Sequence, residues 1–248
     1  MKSLLAALIT ALSLPALAQD AAALIRQGDA HDARYETEEA LRCYLPAEKA
    51  APQNASLLVK IARQYVYRIS RLETQAQKLE SGRTALAYAE RAVQADAKNC
   101  EAWLAVAIAS GRLAQLQGVK EKVAASRRIK EAAEKAIQLD PGHDYGWHIL
   151  GRWHQGIAGA NRLILNVVGL VYGEIPEASH EEAEACFKKA LALRPDRLLH
   201  HIELGRTYAQ MGRREEARSW LEKGLAMPNR DKDDAETKER GRKALAAL

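Results

Sequence analysis

Apolar and small residues recur along this chain in pairs of helix-length segments, and each pair ends in a proline or a polar turn. The clearest pair has, in order, His201, Leu204, Gly205, Tyr208, Ala217, Leu221 and Pro228. Residues three or four positions apart share one face of an α-helix, so this spacing predicts two amphipathic helices. Small residues let the two helices approach closely, and a proline ends the second helix. The spacing is that of a tetratricopeptide repeat, with His201 where the repeat often has tryptophan.

The same signals recur upstream and predict a repeat array. The predicted helix pairs cover residues 20–52, 55–97, 100–141, 144–195 and 198–228. A charged, alanine-rich stretch at 231–248 predicts a C-terminal capping helix, because the last repeat of an array needs a polar outer face. We therefore expect an all-α fold, a right-handed α-solenoid of five tetratricopeptide-like pairs within residues 19–230. Its core is expected to contain Trp103, Trp147, Leu150, Phe187 and Leu204.

The fourth pair is longer than the last one because it holds an insertion at about residues 156–178. Residues 163–172 of this insertion are too apolar for a solvent-exposed loop. Three interpretations remain open: a helix packed over the solenoid, a lid or wall over a ligand groove, and a dimer contact.

The N-terminus has the features of a secretory signal peptide. Lys2 precedes an apolar stretch at 4–14, and Ala16-Leu17-Ala18 forms an A-x-A cleavage site. We therefore expect residues 1–18 to be removed and the mature protein to be exported to the periplasm of a bacterium. A buried N-terminal helix is the alternative. The rest of the chain has no apolar run long enough for a transmembrane segment.

Composition and motifs argue against catalysis, metal binding and nucleic-acid binding. The net charge of +5 is only a mild basic bias, and an exported protein is not expected to meet nucleic acid. Cys43, Cys100 and Cys186 lie far apart, which is unlike a disulfide framework. His148 and His154 are six residues apart and therefore do not share a helix face. Since no nucleophile, phosphate-loop or zinc motif is present, we expect no catalytic residues, no metal and no cofactor.

The first helix of each pair is expected to line a concave groove. Residues three positions before the small residue of each first helix predict an apolar floor, made of Ile25, Val59, Leu104, His148 and Ile202. The residue directly after each small residue, the residue about one turn further along the helix and Tyr145 at the rim are also expected to face the groove. Together they predict a partly charged lining of the groove. The candidate binding residues are Arg63, Tyr67, Arg112, Tyr145, His148, Arg152, Arg206 and Gln210.

Arginines beside an apolar surface suit an anionic group attached to an apolar body, because guanidinium groups bind carboxylate or phosphate with two hydrogen bonds. The first hypothesis is a non-catalytic binding or scaffold protein of the cell envelope that holds a protein or peptide partner in this groove. The alternative is a carrier or sensor of an anionic amphiphile such as a phospholipid or fatty acid. The arginines could instead pair with neighbouring glutamates across helices.

Residues Trp147–His154, Tyr172–Ser179 and His200–Tyr208, with Glu181–Ala183 and Phe187–Ala190, carry a family resemblance. On these stretches, about half of the chain resembles the regulator of microtubule dynamics family, which consists of tetratricopeptide-type helical proteins with animal members and bacterial relatives. Animal members are associated with microtubules or membrane contact sites, and one with phospholipid binding. The resemblance thus implies lipid or peptide binding, and it carries no catalytic residue to this chain.

Overall fold

The computed structural model describes residues 13–173 and 177–248, and within them the chain forms twelve α-helices, one short 3-10 helix and no strand. The predicted all-α fold is confirmed. The helices are α1 (Ser13–Asp32), α2 (Thr37–Ala50), α3 (Ala55–Arg68), α4 (Gln75–Ala95), α5 (Cys100–Gln115), α6 (Val119–Leu139), α7 (Asp144–Ala158), α8 (Arg162–Tyr172), α9 (His180–Leu193), α10 (Leu198–Gln210), α11 (Arg214–Ala226) and α12 (Asp234–Ala246). The 3-10 helix, Ile69–Arg71, follows α3. Most of the predicted signal peptide, residues 1–12, lies outside the described residues, as do residues 174–176 of the insertion.

The helices belong to two compact units, residues 1–105 and 106–248, whose boundary falls inside α5. In the first unit, α1 packs against α2, and α3 packs against α4. In the second unit, α7 packs against α9, α10 packs against α11, and α12 contacts both α10 and α11. Each packed pair therefore joins a first helix to the second helix of the same predicted repeat.

Small residues allow the close approach of paired helices, as the sequence pattern predicts. A Cβ added at Gly205 would lie 2.9 Å from the backbone nitrogen of Leu221 and 3.1 Å from the carbonyl oxygen of Ala217. A Cβ added at Gly151 would lie 2.9 Å from Cε1 of Phe187. Since backbone atoms of α11 cannot move aside locally, the α10–α11 distance depends on the glycine at position 205.

The core of the second unit lies between these paired helices. Phe187 and Leu204 are fully buried and pack with Ala183, Tyr208 and Ala217. These contacts join α9, α10 and α11, so they link two consecutive repeats. The predicted burial of Phe187 and Leu204 is confirmed, and Leu150 is buried as well.

The prediction that two tryptophans fill the core is wrong, because both are only half-buried. Each indole N–H donates a hydrogen bond to the carbonyl oxygen of the residue six positions earlier, in the turn that precedes its helix. The histidine that replaces tryptophan in the last repeat makes the equivalent bond with its Nε2. The three pairs are Trp103 with Ala97 at 2.9 Å, Trp147 with Pro141 at 2.9 Å, and His201 with Pro195 at 2.8 Å. The feature that these three side chains share at this repeat position is therefore a ring nitrogen that donates a hydrogen bond to the preceding turn.

The apolar insertion contains α8, which contacts α6. Together with α7 and α9, α8 lines an open cleft whose apolar lining includes Leu150, Ile157 and Leu165. Other apolar side chains of α8 are exposed to solvent. Helix α8 is thus one wall of this cleft, and those of its apolar side chains that the structure describes are only partly packed.

Candidate functional site

The eight predicted binding residues fall into the two units. Arg63 and Tyr67 lie on α3 of the first unit, where the Arg63 guanidinium pairs with Asp32 of α1. The amide of the adjacent Gln64 donates to the other oxygen of the Asp32 carboxylate, at 2.7 Å. Arg63 therefore links two first helices of the first unit, and the other six predicted residues belong to the second unit.

The predicted apolar floor of the groove is wrong. Leu104 and Ile202 are buried in the core, and Ile202 packs with Leu198 and Leu221. The physical reason is that residues three positions apart share a helix face. The side chain three positions before the small residue therefore turns toward the paired second helix, as the small residue does, and not toward the groove.

A buried glutamate on α10 gathers three arginines, and we call these four residues the arginine cluster. Glu203 has no exposed side-chain surface. Arg152 Nη1 of α7 donates to its Oε1 at 3.0 Å, Arg206 Nη1 of α10 donates to its Oε2 at 2.5 Å, and Arg240 Nη2 of α12 lies 3.4 Å from Oε1. The cluster joins three helices of the second unit through one carboxylate.

The arginines keep this carboxylate charged. Burial raises the pKa of Glu203, but the positive charges of Arg152, Arg206 and Arg240 outweigh burial, and the net pKa lies below its usual value. Of the two interpretations of the predicted arginines, pairing with a glutamate across helices is what the structure shows for Arg152. Arg240, which was not among the predicted residues, contacts the same glutamate. The predicted binding residue Arg112 is also paired, at 3.2 Å from Asp233.

The arginine cluster holds more positive than negative charge at the solvent boundary. The side chains of Arg152 and Arg206 are 36% and 26% exposed, and Glu203 is the carboxylate that each of them contacts. A guanidinium has five N–H donors, so one bond from each to Glu203 leaves further donors directed elsewhere. Arg240 differs, because it also pairs with the exposed Glu236 at 2.9 Å. Arg152 and Arg206 are thus the members that have N–H groups available to donate to another anion.

Tyr145 of α7 lies among charged neighbours. The guanidinium carbon of Arg197 is 5.5 Å from the centre of its ring, a cation–π distance. Burial raises the pKa of the Tyr145 hydroxyl. Gln210, at the end of α10, is exposed, and its amide lies against Gly159 after α7. Neither Tyr145 nor Gln210 is among the residues that are seen to pair with Glu203.

The predicted binding residue His148 is buried and does not line an exposed surface. Its Nδ1 is 3.1 Å from Nδ1 of His200, whose Nε2 is 2.8 Å from Oδ2 of Asp144. The carboxylate can only accept, so His200 Nε2–H donates to Asp144 and His148 Nδ1–H donates to His200. We call these three residues the histidine network; it links α7 to α10 with both rings neutral.

The histidine network makes the stability of the second unit dependent on pH. Burial lowers the pKa of His148 well below its usual value, and neighbouring positive charge adds to this effect. Burial also lowers the pKa of His200, although Asp144 opposes that shift. Burial raises the pKa of Asp144, but the His200 hydrogen bond and the charge of Arg197 outweigh burial and lower that pKa. The folded network therefore resists protonation at all three groups.

We expect the thermal midpoint of the second unit to fall as the pH drops below about 6.5, the usual pKa of an exposed histidine. Below that pH the unfolded chain binds protons that the folded His148 and His200 resist, so stability decreases. Circular dichroism melts between neutral pH and pH 5 would measure the slope. A variant with His148→Gln and His200→Gln should have a smaller slope, and an unchanged slope would assign the effect to other groups.

The sequence-based search missed Asp144, His200, Glu203 and Arg240. A signal was available for one of them, because Glu203 is the only acidic residue of α10 and lies among apolar residues. A carboxylate on a face that packs against other helices requires a cationic partner. Arg240 carried no such signal, since α12 is charged throughout.

The described part of the chain shows no arrangement of three or more His, Cys, Asp or Glu side chains that could hold a metal ion. Within those residues, Cys43, Cys100 and Cys186 form no disulfide. Across the same residues, no helix combines the length and the apolar character that crossing a membrane requires.

Comparison with known proteins identifies relatives of this chain. Residues 24–248 match the sequence model of the family described as regulator of microtubule dynamics protein 1-3. Regulator of microtubule dynamics protein 1 of Bos taurus is 30% identical over 151 residues, which are 60% of this chain and 48% of that protein. Regulator of microtubule dynamics protein 3 of Rattus norvegicus is 24% identical over 220 residues, covering 88% of this chain and 47% of that protein. The chain thus spans about half the length of these two relatives.

A solved structure supports the same fold. A tetratricopeptide-repeat protein of Thermus thermophilus, TTC0263, superposes with a TM-score of 0.65 at 21% identity, covering 91% of this chain and 99% of that one. The repeats read from the sequence are therefore tetratricopeptide-like, and the resemblance to one family is confirmed. Because the sequence model of that family matches residues 24–248, the chain belongs to the regulator of microtubule dynamics family.

Proposed function

We propose that this protein is a non-catalytic scaffold that binds an acidic segment of a protein partner on the inner face of its second unit. Arg152 and Arg206 are the residues that bind the partner's carboxylates. Glu203 holds the two guanidinium groups in place and does not itself contact the partner. The fold supports this role, because the first helices of tetratricopeptide-type repeats form extended binding surfaces.

One observation carries the proposal: two partly exposed arginines share a single buried carboxylate. Each guanidinium keeps N–H donors that do not contact Glu203, and its bond to Glu203 fixes the orientation of the group. A fixed guanidinium loses little conformational entropy when it binds a carboxylate, so the cluster is prepared for an anion.

We also propose that the protein acts in the cell envelope of a bacterium, in the periplasm. The support is the N-terminal sequence, in which Lys2, the apolar stretch at 4–14 and Ala16-Leu17-Ala18 have the order of a signal peptide. Mass spectrometry of the N-terminus of the protein recovered from a periplasmic fraction would test it. A mature chain that starts at Gln19 would support export, and an intact N-terminus in the cytosol would refute it.

The binding proposal can be tested with two labelled peptides, one rich in aspartate and glutamate and one with asparagine and glutamine at the same positions. We expect the acidic peptide to bind and Arg152→Ala or Arg206→Ala to weaken it by about 1.5–3 kcal/mol, the range for a hydrogen bond to a charged group. Binding should also weaken as salt rises, because the arginines are partly exposed. Fluorescence anisotropy would measure all three effects.

Arg218→Ala is the matched control, because Arg218 is an exposed arginine on α11 and lies outside the cluster. It changes the net charge equally and should leave binding unchanged. Equal binding of both peptides would refute the proposal. So would arginine variants that lose stability but keep their affinity, since the arginines would then only hold helices together.

An anionic amphiphile such as a fatty acid or phospholipid is the second candidate ligand, and the cleft beside α8 is the observation that favours it. Leu150, Ile157 and Leu165 give the cleft apolar walls that suit an acyl chain. Its charged lining disfavours an anionic head group, because Lys130 pairs with Glu134 at 3.0 Å and three further glutamates lie at the cleft, so this candidate ranks second. Native mass spectrometry of the purified protein would separate the two candidates. A co-purifying lipid that is lost on Leu165→Gln would favour the amphiphile, and a lipid-free protein would favour the peptide.

A further inference from the structure

Helix α8 carries a stripe of apolar side chains that face solvent. Leu163, Val167, Leu170 and Val171 are 75%, 61%, 87% and 65% exposed. At about 100° per residue these positions fall within about 100° of the helix circumference, so they form one continuous stripe. Among the residues whose side chains are described, only Tyr35 and Val119 are comparable large apolar groups exposed elsewhere. A contiguous apolar stripe at this density marks an interaction surface.

The size of α8 limits what can cover the stripe. The helix has 11 residues, which corresponds to about 16 Å. A transmembrane helix needs about 20 apolar residues, so α8 cannot cross a bilayer. A helix that lies in the plane of a membrane surface needs only one apolar face and neighbouring positive charge.

Positive charge is supplied by α6, the helix that α8 contacts. α6 has six basic and three acidic side chains, whereas no acidic residue occurs in α8. The two helices meet closely, because a Cβ added at Gly173, just after α8, would lie 2.8 Å from Nη2 of Arg127. Lys122 and Arg128 of α6 are exposed. Arg127 is therefore the basic side chain shown beside the C-terminal end of α8. Lys122 and Arg128 add exposed positive charge on the same helix, about 120° apart around it.

The other side of α8 differs. Leu170, at one edge of the stripe, also lines the cleft, and Glu177, Glu181 and Glu182 line its opposite wall, toward α9. Negative charge there would be repelled by an anionic surface. The charge pattern therefore favours an approach in which the stripe and α6 face the anionic surface and the first turn of α9 turns away from it.

We infer that α8 and α6 together dock this protein on the surface of an anionic lipid bilayer. The apolar stripe enters the boundary between headgroups and acyl chains, and the basic side chains of α6 contact the headgroup phosphates. This surface is distinct from the arginine cluster, which lies on α7, α10 and α12. The inference does not depend on the proposed peptide binding.

Sedimentation with vesicles of phosphatidylcholine, with and without phosphatidylglycerol, tests the inference on the full chain. We expect binding to vesicles that contain phosphatidylglycerol and little binding to phosphatidylcholine alone. Leu163→Gln with Leu170→Gln should weaken binding more than about tenfold, because two apolar side chains would no longer enter the bilayer. Lys122→Gln with Arg128→Gln should weaken it by about fivefold for each charge removed.

Matched controls separate docking from general effects. Tyr35→Asn removes an exposed apolar side chain from the first unit, at a positive φ that asparagine tolerates, and should leave vesicle binding unchanged. Lys49→Gln with Lys98→Gln removes two exposed positive charges from the first unit and should have a much smaller effect than the α6 pair. Circular dichroism confirms that each variant is folded.

Two results would overturn the inference. One is unchanged vesicle binding by both the leucine variant and the α6 charge variant. The other is sedimentation of a dimer that the leucine variant abolishes, without vesicle binding by the natural chain, since the stripe would then be covered by a second copy. If the leucine variant did not fold, vesicle binding by the α6 charge variant would decide between docking and no docking. That variant should fold, because both of its substitutions replace exposed charged side chains with polar ones.

Discussion

Replacing Phe187 with alanine is expected to lower the free energy of unfolding by about 3–5 kcal/mol, the range for removing a buried aromatic side chain. The ring is fully buried, and its Cε1 would touch a Cβ at Gly151, so it fills the space between α7 and α9. It also contacts the ring of His148 edge-on, with centres 5.5 Å apart. The cavity left by alanine could close only if α7 and α9 moved toward each other.

Urea unfolding followed by circular dichroism would measure this loss. Phe187→Leu is the matched control, because it keeps much of the apolar volume and should cost less than the alanine variant. A loss under about 1 kcal/mol for alanine would mean that α7 and α9 collapse around the cavity and that Phe187 does not set their separation.

The second large effect is expected on removing the carboxylate at the centre of the arginine cluster. Glu203→Ala leaves three arginines next to one another without their shared anion. Breaking a buried ion pair by deleting one partner costs about 3–5 kcal/mol, and partial hydration of the arginines favours the lower end. Because the remaining groups repel one another, added salt should recover part of the loss.

Glu203→Gln and Glu222→Ala provide the controls for this effect. The glutamine keeps the shape of the side chain and one acceptor oxygen, so it should cost less than alanine. Glu222 is exposed on α11, and removing its charge should have little effect on stability. If Glu203→Ala were as stable as the natural chain at low salt, the arginines would be fully hydrated and the cluster would not join α7, α10 and α12.

The sequence predicted the helices well because their signals are local. Small residues such as Gly151 and Gly205 have to recur where paired helices touch, and prolines such as Pro141 and Pro195 follow the ends of second helices. Tertiary contacts within a repeat array join neighbouring repeats, so local spacing already contains most of the topology. The all-α fold followed from this spacing alone.

The candidate site was harder to predict because it depends on which way each side chain turns. A shift of one residue moves a side chain by about 100° around a helix, which is enough to move it from the core to the groove. Ile202 was assigned to the groove floor but lies in the core, whereas Arg152 and Arg206 do lie at a partly exposed surface. Their common partner, Glu203, could not be read from arginine positions. Arg240 comes from α12, a helix that local patterns describe only as a polar cap.

The hydrogen bonds from ring N–H groups to carbonyl oxygens six residues earlier have a consequence for changes in chain length. Each bond closes a loop of fixed size around the turn between repeats, as at Trp147 and Pro141. An inserted residue inside such a turn would shift the acceptor out of reach, so insertions and deletions should be poorly tolerated there. The turn between α10 and α11 differs, because Gly212 has no atom near its missing Cβ. Extra residues, a peptide tag or a grafted loop should therefore be accommodated in this turn more readily than in the turns that such a ring bond closes.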